Sequence, residues 1–147
     1  MYTPTAPHKI AHTKYKILLV EDNPHVLELT HEILADEGYQ VTTAINGEAA
    51  IETLYTRGFD LVITDLNMGQ ANGISVLKKT KELHPATKVI IMTGNADVRF
   101  ATQAMQLNAD DYVVKPFKID DLLTRVSHCI GKPSSLGLYY SEHTEIT

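Results

Sequence analysis

The stretch DLVITDLNM, Asp60 to Met68, carries a run, LVI, in which apolar residues do not alternate with polar ones, and the run stops at Thr64 and Asp65. A strand apolar on successive residues must be covered on both faces, the condition of a parallel sheet packed between helices. Reading outward from this run (Asp60 to Thr64), four others have similar length: Lys16 to Val20, Tyr39 to Ala44, Lys88 to Met92 and Asp111 to Val114. ILLV, VIIM and YVV are again nearly continuous. Polar residues interrupt Tyr39, Val41 and Ala44, so that run reads as an edge strand. Segments of helical period separate the five runs, and this alternation predicts an α/β fold with a parallel sheet.

The intervening segments carry helix signals. Asn23 can cap a helix that begins at Pro24 and ends by Gly38, with Val26, Leu29 and Ile33 on one stripe and Leu27 and Leu34 on another. A second helix is predicted over Gly47 to Arg57, carrying Ile51, Leu54 and Tyr55, with Gly58 beyond it. A third runs from near Gly73 to Leu83, before Pro85; a fourth from about Ala96 to Leu107 carries Val98, Ala101 and Met105. The fifth has Ile119, Leu122, Leu123, Val126 and Ile130 on one face, and Gly131 follows.

The 147 residues, 44% hydrophobic and 21% charged, suit one domain with a real core. The expected organisation is a tail over residues 1–14, one domain over 15–131, and a tail or the start of a linker over 132–147. Both ends are rich in Pro, Ser and Thr, although Leu136 to Tyr140 is apolar enough to pack. A net charge of -5 without a dense basic run argues against direct nucleic-acid binding or a polybasic membrane anchor. No apolar stretch approaches the roughly 20 residues of a membrane span, and the first residues lack the apolar centre of a signal peptide, so a cytoplasmic protein is expected. Cys129 is the only cysteine, which excludes an intrachain disulfide or a cysteine metal cluster. The seven histidines lack metal-ligand spacing: Ala35 stands where His31-Glu32 would need a second histidine. Met92 and Met105 read as core filler, and Cys129 as a small, partly buried residue.

Ligands of open parallel sheets bind beyond the carboxyl ends of the strands. There the first run is followed by Glu21 and Asp22, the third by Asp65, the fourth by Thr93 and the fifth by Lys115-Pro116. Three convergent carboxylates repel one another unless a cation compensates them. Mg²⁺ suits such a site, being a hard ion that takes carboxylate and phosphate oxygens. A carboxylate beside it can act as a nucleophile toward phosphorus, with Thr93 and Lys115 sharing the charge of the transferring group.

LLVEDN (18–23), DLVITDLNM (60–68), VIIMTGNAD (89–97) and DYVVKPF (111–117), in this order, resemble the receiver domain of response regulators in bacterial two-component systems, over about residues 15–130. The resemblance implies a flavodoxin-like (CheY-like) five-stranded parallel sheet of order 2-1-3-4-5 with helices on both faces. It implies a switch that accepts a phosphoryl group on Asp65 from a sensor histidine kinase or histidine phosphotransfer protein. Asp22 and Asp65 match the carboxylates that bind Mg²⁺ directly. Glu21 matches the other acid, acting through water, and the backbone carbonyl of Asn67 completes the protein ligands. Thr93, Lys115 and the Gly94 backbone match the groups that contact the phosphoryl group; Thr93 and Tyr112 match the switch pair. The Lys115-Pro116 bond is expected to be cis. Output to a downstream effector is expected through the face of helix 4, strand 5 and helix 5, which some relatives also use to form homodimers.

The chain departs from the family at Met68-Gly69, where Met-Pro is frequent, and at Gly94, where Ala or Ser is more usual. The first implies a less rigid loop and the second a more open site. Asn67 and Asn95 match positions that tune phosphoryl lifetime. Two other classes compete. A Mg²⁺-dependent phosphatase of the haloacid dehalogenase kind also uses an Asp nucleophile, but it needs a second Asp two residues on, where Asn67 stands. A receiver-like interaction module that is never phosphorylated has no need of an intact acidic site. Neither the P-loop nor the dinucleotide fingerprint is present.

Overall fold

In the computed structural model, residues 15–68, 72–94, 98–131 and 145–146 are described. Five strands, β1 (Lys16–Val20), β2 (Gln40–Ala44), β3 (Leu61–Asp65), β4 (Lys88–Thr93) and β5 (Asp111–Val114), form one parallel sheet of order β2-β1-β3-β4-β5. The helices are α1 (Pro24–Asp36), α2 (Gly47–Thr56), α3 (Gly73–Leu83), α4 (Val98–Gln106) and α5 (Ile119–Ile130). A two-residue strand β6 (Phe117–Lys118) pairs antiparallel with β7 (Glu145–Ile146), a feature the sequence did not announce.

Period-two alternation divides the strands between two cores. Ile17, Leu19, Leu61, Ile63, Ile90, Met92 and Val113 pack with Ile33 and Leu34 of α1 and Leu122, Leu123 and Val126 of α5. Leu18, Val20, Val62, Val89 and Ile91 face the other way, against Ala50 and Leu54 of α2, Val76 and Leu77 of α3 and Ala104 of α4. The three inner strands therefore need apolar residues at every position, as ILLV, LVI and VIIM supply.

The helix boundaries follow side-chain caps. Asn23 accepts from the backbone amides of His25 and Val26 at 3.0 and 3.2 Å, with Pro24 opening α1. Asn46 caps α2 by accepting from Ala49 at 2.7 Å, and Asn72 caps α3 by accepting from Ile74 and Ser75 at 3.0 and 3.2 Å. Gly131 ends α5 in the left-handed region, at φ 79°, which a side chain would strain.

Some residues differ from expectation. Asp65 is the last residue of β3 rather than the first after it, and β4 extends to Thr93. Leu29 and Tyr55, counted among the apolar residues of their helices, and Met105, read as core filler, are exposed, while Thr30 of α1 is buried in a position that an apolar count passes over. β5 is an edge strand: Tyr112 and Val114 are exposed and only Val113 is buried between them, so YVV is covered on one face. The expected start of α4 at Ala96, together with Gly69, Asn95, His8, His12 and Leu136 to Tyr140, lies outside the described residues.

Candidate functional site

The strand register assembles the site. Val20 pairs with Thr64 and Asp65 with Met92, so Glu21 and Asp65 stand level with each other on neighbouring strands at the top of the sheet. Thr93 pairs with Val114, which places Lys115 one step higher. By alternation, Glu21, Asp65 and Lys115 continue the face covered by α1 and α5. Thr93 and Tyr112 belong to the opposite face, since Tyr112 pairs with Ile91. The sheet edge thus separates an ionic group from a hydroxyl and an aromatic ring.

Lys115 holds the ionic group together. Its Nζ donates to Oδ2 of Asp65 at 3.2 Å and to Oε1 of Glu21 in a closer ion pair. The other Glu21 oxygen, Oε2, accepts from the backbone amide of Asn23 at 3.0 Å, and Oδ1 of Asp65 accepts from the amide of Asn67 at 3.3 Å. The Lys115 peptide is tied to β4 by donation to the Thr93 carbonyl at 2.7 Å, and its bond to Pro116 is cis, as expected. Glu21 is 1% exposed and Asp65 7%, whereas Asp22 and Asn67 are open to solvent.

Burial raises the Glu21 carboxyl above its ordinary value against the lowering effects of Lys115 and the Asn23 amide, and the neighbouring Asp65 charge raises it further. Burial alone would lower the Lys115 ammonium, but the Glu21 hydrogen bond and the two carboxylate charges together raise it. One ammonium among three carboxylates leaves an excess of negative charge. Glu21, Asp22 and Asp65 each offer an oxygen within 4.8 Å of the others, an arrangement that can hold a metal ion. The donors are all carboxylate oxygen, two buried and one open to solvent, which fits a hard divalent cation that retains water.

The structure brings together Glu21, Asp22, Asp65, Asn67 and Lys115, with Thr93 buried at the end of β4 and Gly94 exposed beside it. Among the described residues, nothing lies within 4 Å of a Cβ built on Gly94. Tyr112 is exposed on β5. A cavity of about 730 Å³ runs along the outer edge of β5, lined by Tyr112, Val114, Pro116, Asp120, Thr124 and Arg125; none of the three acids borders it. Two features escaped the sequence reading. The direct Glu21–Lys115 contact joins residues far apart in the chain, and Gly73 lies against the backbone of Asp65, its only signal being a glycine where a helical period begins.

A doubly wound parallel sheet with acids and a lysine at its carboxyl edge defines a class of α/β phosphorylation switches, and the comparisons with known proteins agree. Residues 17–127 match the family described as the response regulator receiver domain, and the chain belongs to that family. It is 36% identical over 111 residues to the transcriptional regulatory protein DltR of Streptococcus agalactiae, covering 76% of this chain and 50% of the relative. It is 40% identical over 107 residues to the alginate biosynthesis regulatory protein AlgB of Pseudomonas aeruginosa, covering 73% and 24%. The chain thus spans half or less of these relatives. A CheY-like receiver domain protein of Methanospirillum hungatei superposes with TM-score 0.77 at 29% identity, over 80% of this chain and 94% of that one. The Thermotoga maritima response regulator TrrA, solved in complex with Mg²⁺-BeF, does so with TM-score 0.72 at 35% identity, over 78% and 98%. The chain therefore carries a receiver domain, the module through which response regulators take part in phosphorylation-dependent two-component signalling. No helix among the described residues is long and apolar enough to cross a membrane.

Proposed function

We propose that Asp65 accepts a phosphoryl group from a histidine kinase or a histidine phosphotransfer protein. The observation that carries this reading is the placement of Asp65: 7% exposed, 3.2 Å from Lys115 and within one acidic cluster with Glu21 and Asp22. An oxygen of Asp65 attacks phosphorus as the donor's bond to phosphorus breaks, and the released imidazole carries away the bonding pair. Lys115, already at the carboxylate, stays with the developing charge and passes to a phosphoryl oxygen. The Thr93 hydroxyl and the Gly94 amide take other phosphoryl oxygens. Asp22, Asp65 and the Asn67 carbonyl would hold Mg²⁺, with Glu21 acting through water; the ion supplies the positive charge that lets acids and phosphate share one site.

Phosphorylation removes Asp65 as a simple partner for Lys115 and gives Thr93 a new acceptor. Tyr112 lies on the same face as Thr93, so its inward movement would carry the change to the outer edge of β5. The surface of α4, β5 and α5, including the 730 Å³ cavity, is the proposed output face, for an effector or a second copy of the chain. Residues 15–131 are the proposed receiver unit, working in the cytoplasm.

The test is intact-mass measurement after incubation with acetyl phosphate, with and without Mg²⁺, on the native chain and on Asp65→Asn. A Mg²⁺-dependent phosphate adduct absent from the variant is expected. An adduct that survives the substitution would move the acceptor elsewhere. No adduct and no release of inorganic phosphate would leave an unphosphorylated interaction module.

A further inference from the structure

We propose that Gly73 is a positioning residue for Asp65: by presenting no side chain, it lets α3 press directly on the backbone that carries the phosphoacceptor. The inference rests on the reading of Asp65 given above. A Cβ on Gly73 would lie 2.4 Å from the Asp65 carbonyl oxygen, 2.8 Å from the Leu66 Cα and 3.1 Å from the Asp65 carbonyl carbon. All three are main-chain atoms, which cannot rotate aside as the end of a side chain can.

Conformation does not explain this glycine. Among the described residues the glycines of positive φ are Gly38 and Gly131, so the Gly73 backbone is one that any residue adopts. Glycine is also a poorer helix former than alanine. What glycine alone provides here is room.

The contact is part of a clamp. The Gly73 amide donates to the Leu66 carbonyl at 2.9 Å, the Leu66 amide to the Met92 carbonyl at 2.8 Å, and the Thr64 hydroxyl to the Asp65 carbonyl at 3.1 Å. The peptide after Asp65 is therefore gripped by β3, β4 and α3 together. A methyl group at Gly73 must displace either α3 or this peptide. Either movement reaches the Asp65 carboxylate and the Asn67 amide bonded to it, and with them the carbonyl proposed for Mg²⁺.

The experiment compares the native chain, Gly73→Ala, and Leu77→Ala, which removes a buried side chain further along the same helix. Three properties are read: the amide shifts of Leu66 and Asn67 in metal-free protein, Mg²⁺ affinity by calorimetry, and the rate of adduct formation from acetyl phosphate. Gly73→Ala is expected to shift both amides, to weaken Mg²⁺ binding roughly tenfold or more, as loss of a ligand's support commonly does, and to slow phosphorylation. Leu77→Ala is expected to lower the urea midpoint and leave Mg²⁺ affinity unchanged. If Gly73→Ala does not fold, Asn72→Ala loosens the start of α3 without adding an atom, and it should move the same amides and weaken Mg²⁺ binding. Native Mg²⁺ affinity and rate in Gly73→Ala, or equal losses in Leu77→Ala, would overturn the proposal. A native chain that neither binds Mg²⁺ nor takes up phosphate would instead overturn the assignment of Asp65, and this inference with it.

Discussion

Two carboxyls, Glu21 and Glu37, are each 1% exposed, and their surroundings give them different consequences. Glu21 has Lys115 and the Asn23 amide beside it and belongs to the site. Glu37 lies at the opposite end of the sheet, where α1 turns into β2, and burial pushes its carboxyl up to about 8. Its folded value lies above the unfolded one, so between about 4.5 and about 8 the folded chain keeps a proton that the unfolded chain has released. Stability from this group is therefore whole below the unfolded value and is lost as pH rises toward 8. At pH 7 the loss is on the order of 3 kcal/mol, taking about 1.4 kcal/mol per pH unit. Glu37→Gln keeps the shape without the charge. Its urea midpoint is expected to stay nearly level from pH 5.5 to 8 while that of the native chain falls; parallel slopes would remove Glu37 as the cause. Glu21, Asp22, Asp65, Thr93 and Lys115 were legible because each ends or follows an apolar run. Glu37 was not, because a glutamate after a helix is usually solvated, and its burial depends on how α1 rolls against the sheet.

Each strand of the inner sheet carried its own signal, since burial on two faces demands a continuous apolar run. The helices were less legible in detail. Their stripes gave existence and length, but Leu29, Tyr55 and Met105 are exposed because the inward arc of each helix is narrower than its count of apolar residues suggests. β5 misled in another way: an apolar edge strand with Tyr112 and Val114 exposed looks in sequence like an inner one, unless that surface is itself used. The cap residues allow the elements to be tested separately. Asn46→Ala removes the acceptor for the Ala49 amide at the start of α2, a helix that supplies no residue to the site. A loss of about 1 kcal/mol in chemical unfolding is expected, with the rate of phosphate uptake unchanged. A slower rate at full folding would mean that α2 communicates with Asp65, which this arrangement does not provide for.

Folding of the whole molecule and occupation of the site are coupled through charge. Closing the sheet between its two cores forces Glu21, Asp22 and Asp65 within 4.8 Å of one another, and Lys115 offsets only part of their charge. In the unfolded chain Asp65 is far from the neighbouring Glu21 and Asp22, and the three have no such need. A divalent cation that binds the folded form and not the unfolded one must therefore stabilise the entire domain, by about 2.7 kcal/mol at a hundredfold excess over its Kd. For a chain of this size that corresponds to a rise in Tm on the order of 10 °C. The rise is expected to follow the logarithm of Mg²⁺ concentration, to reverse on chelation, and to shrink in Asp22→Asn, which removes the solvent-open ligand while leaving both buried acids in place. Metal-free Asp22→Asn should also be more stable than the metal-free native chain, because one of the mutually repelling charges is gone. A Tm indifferent to Mg²⁺ in the native chain would mean that Lys115 and solvent suffice to balance the cluster, and that the acids gather there for a purpose other than holding a cation.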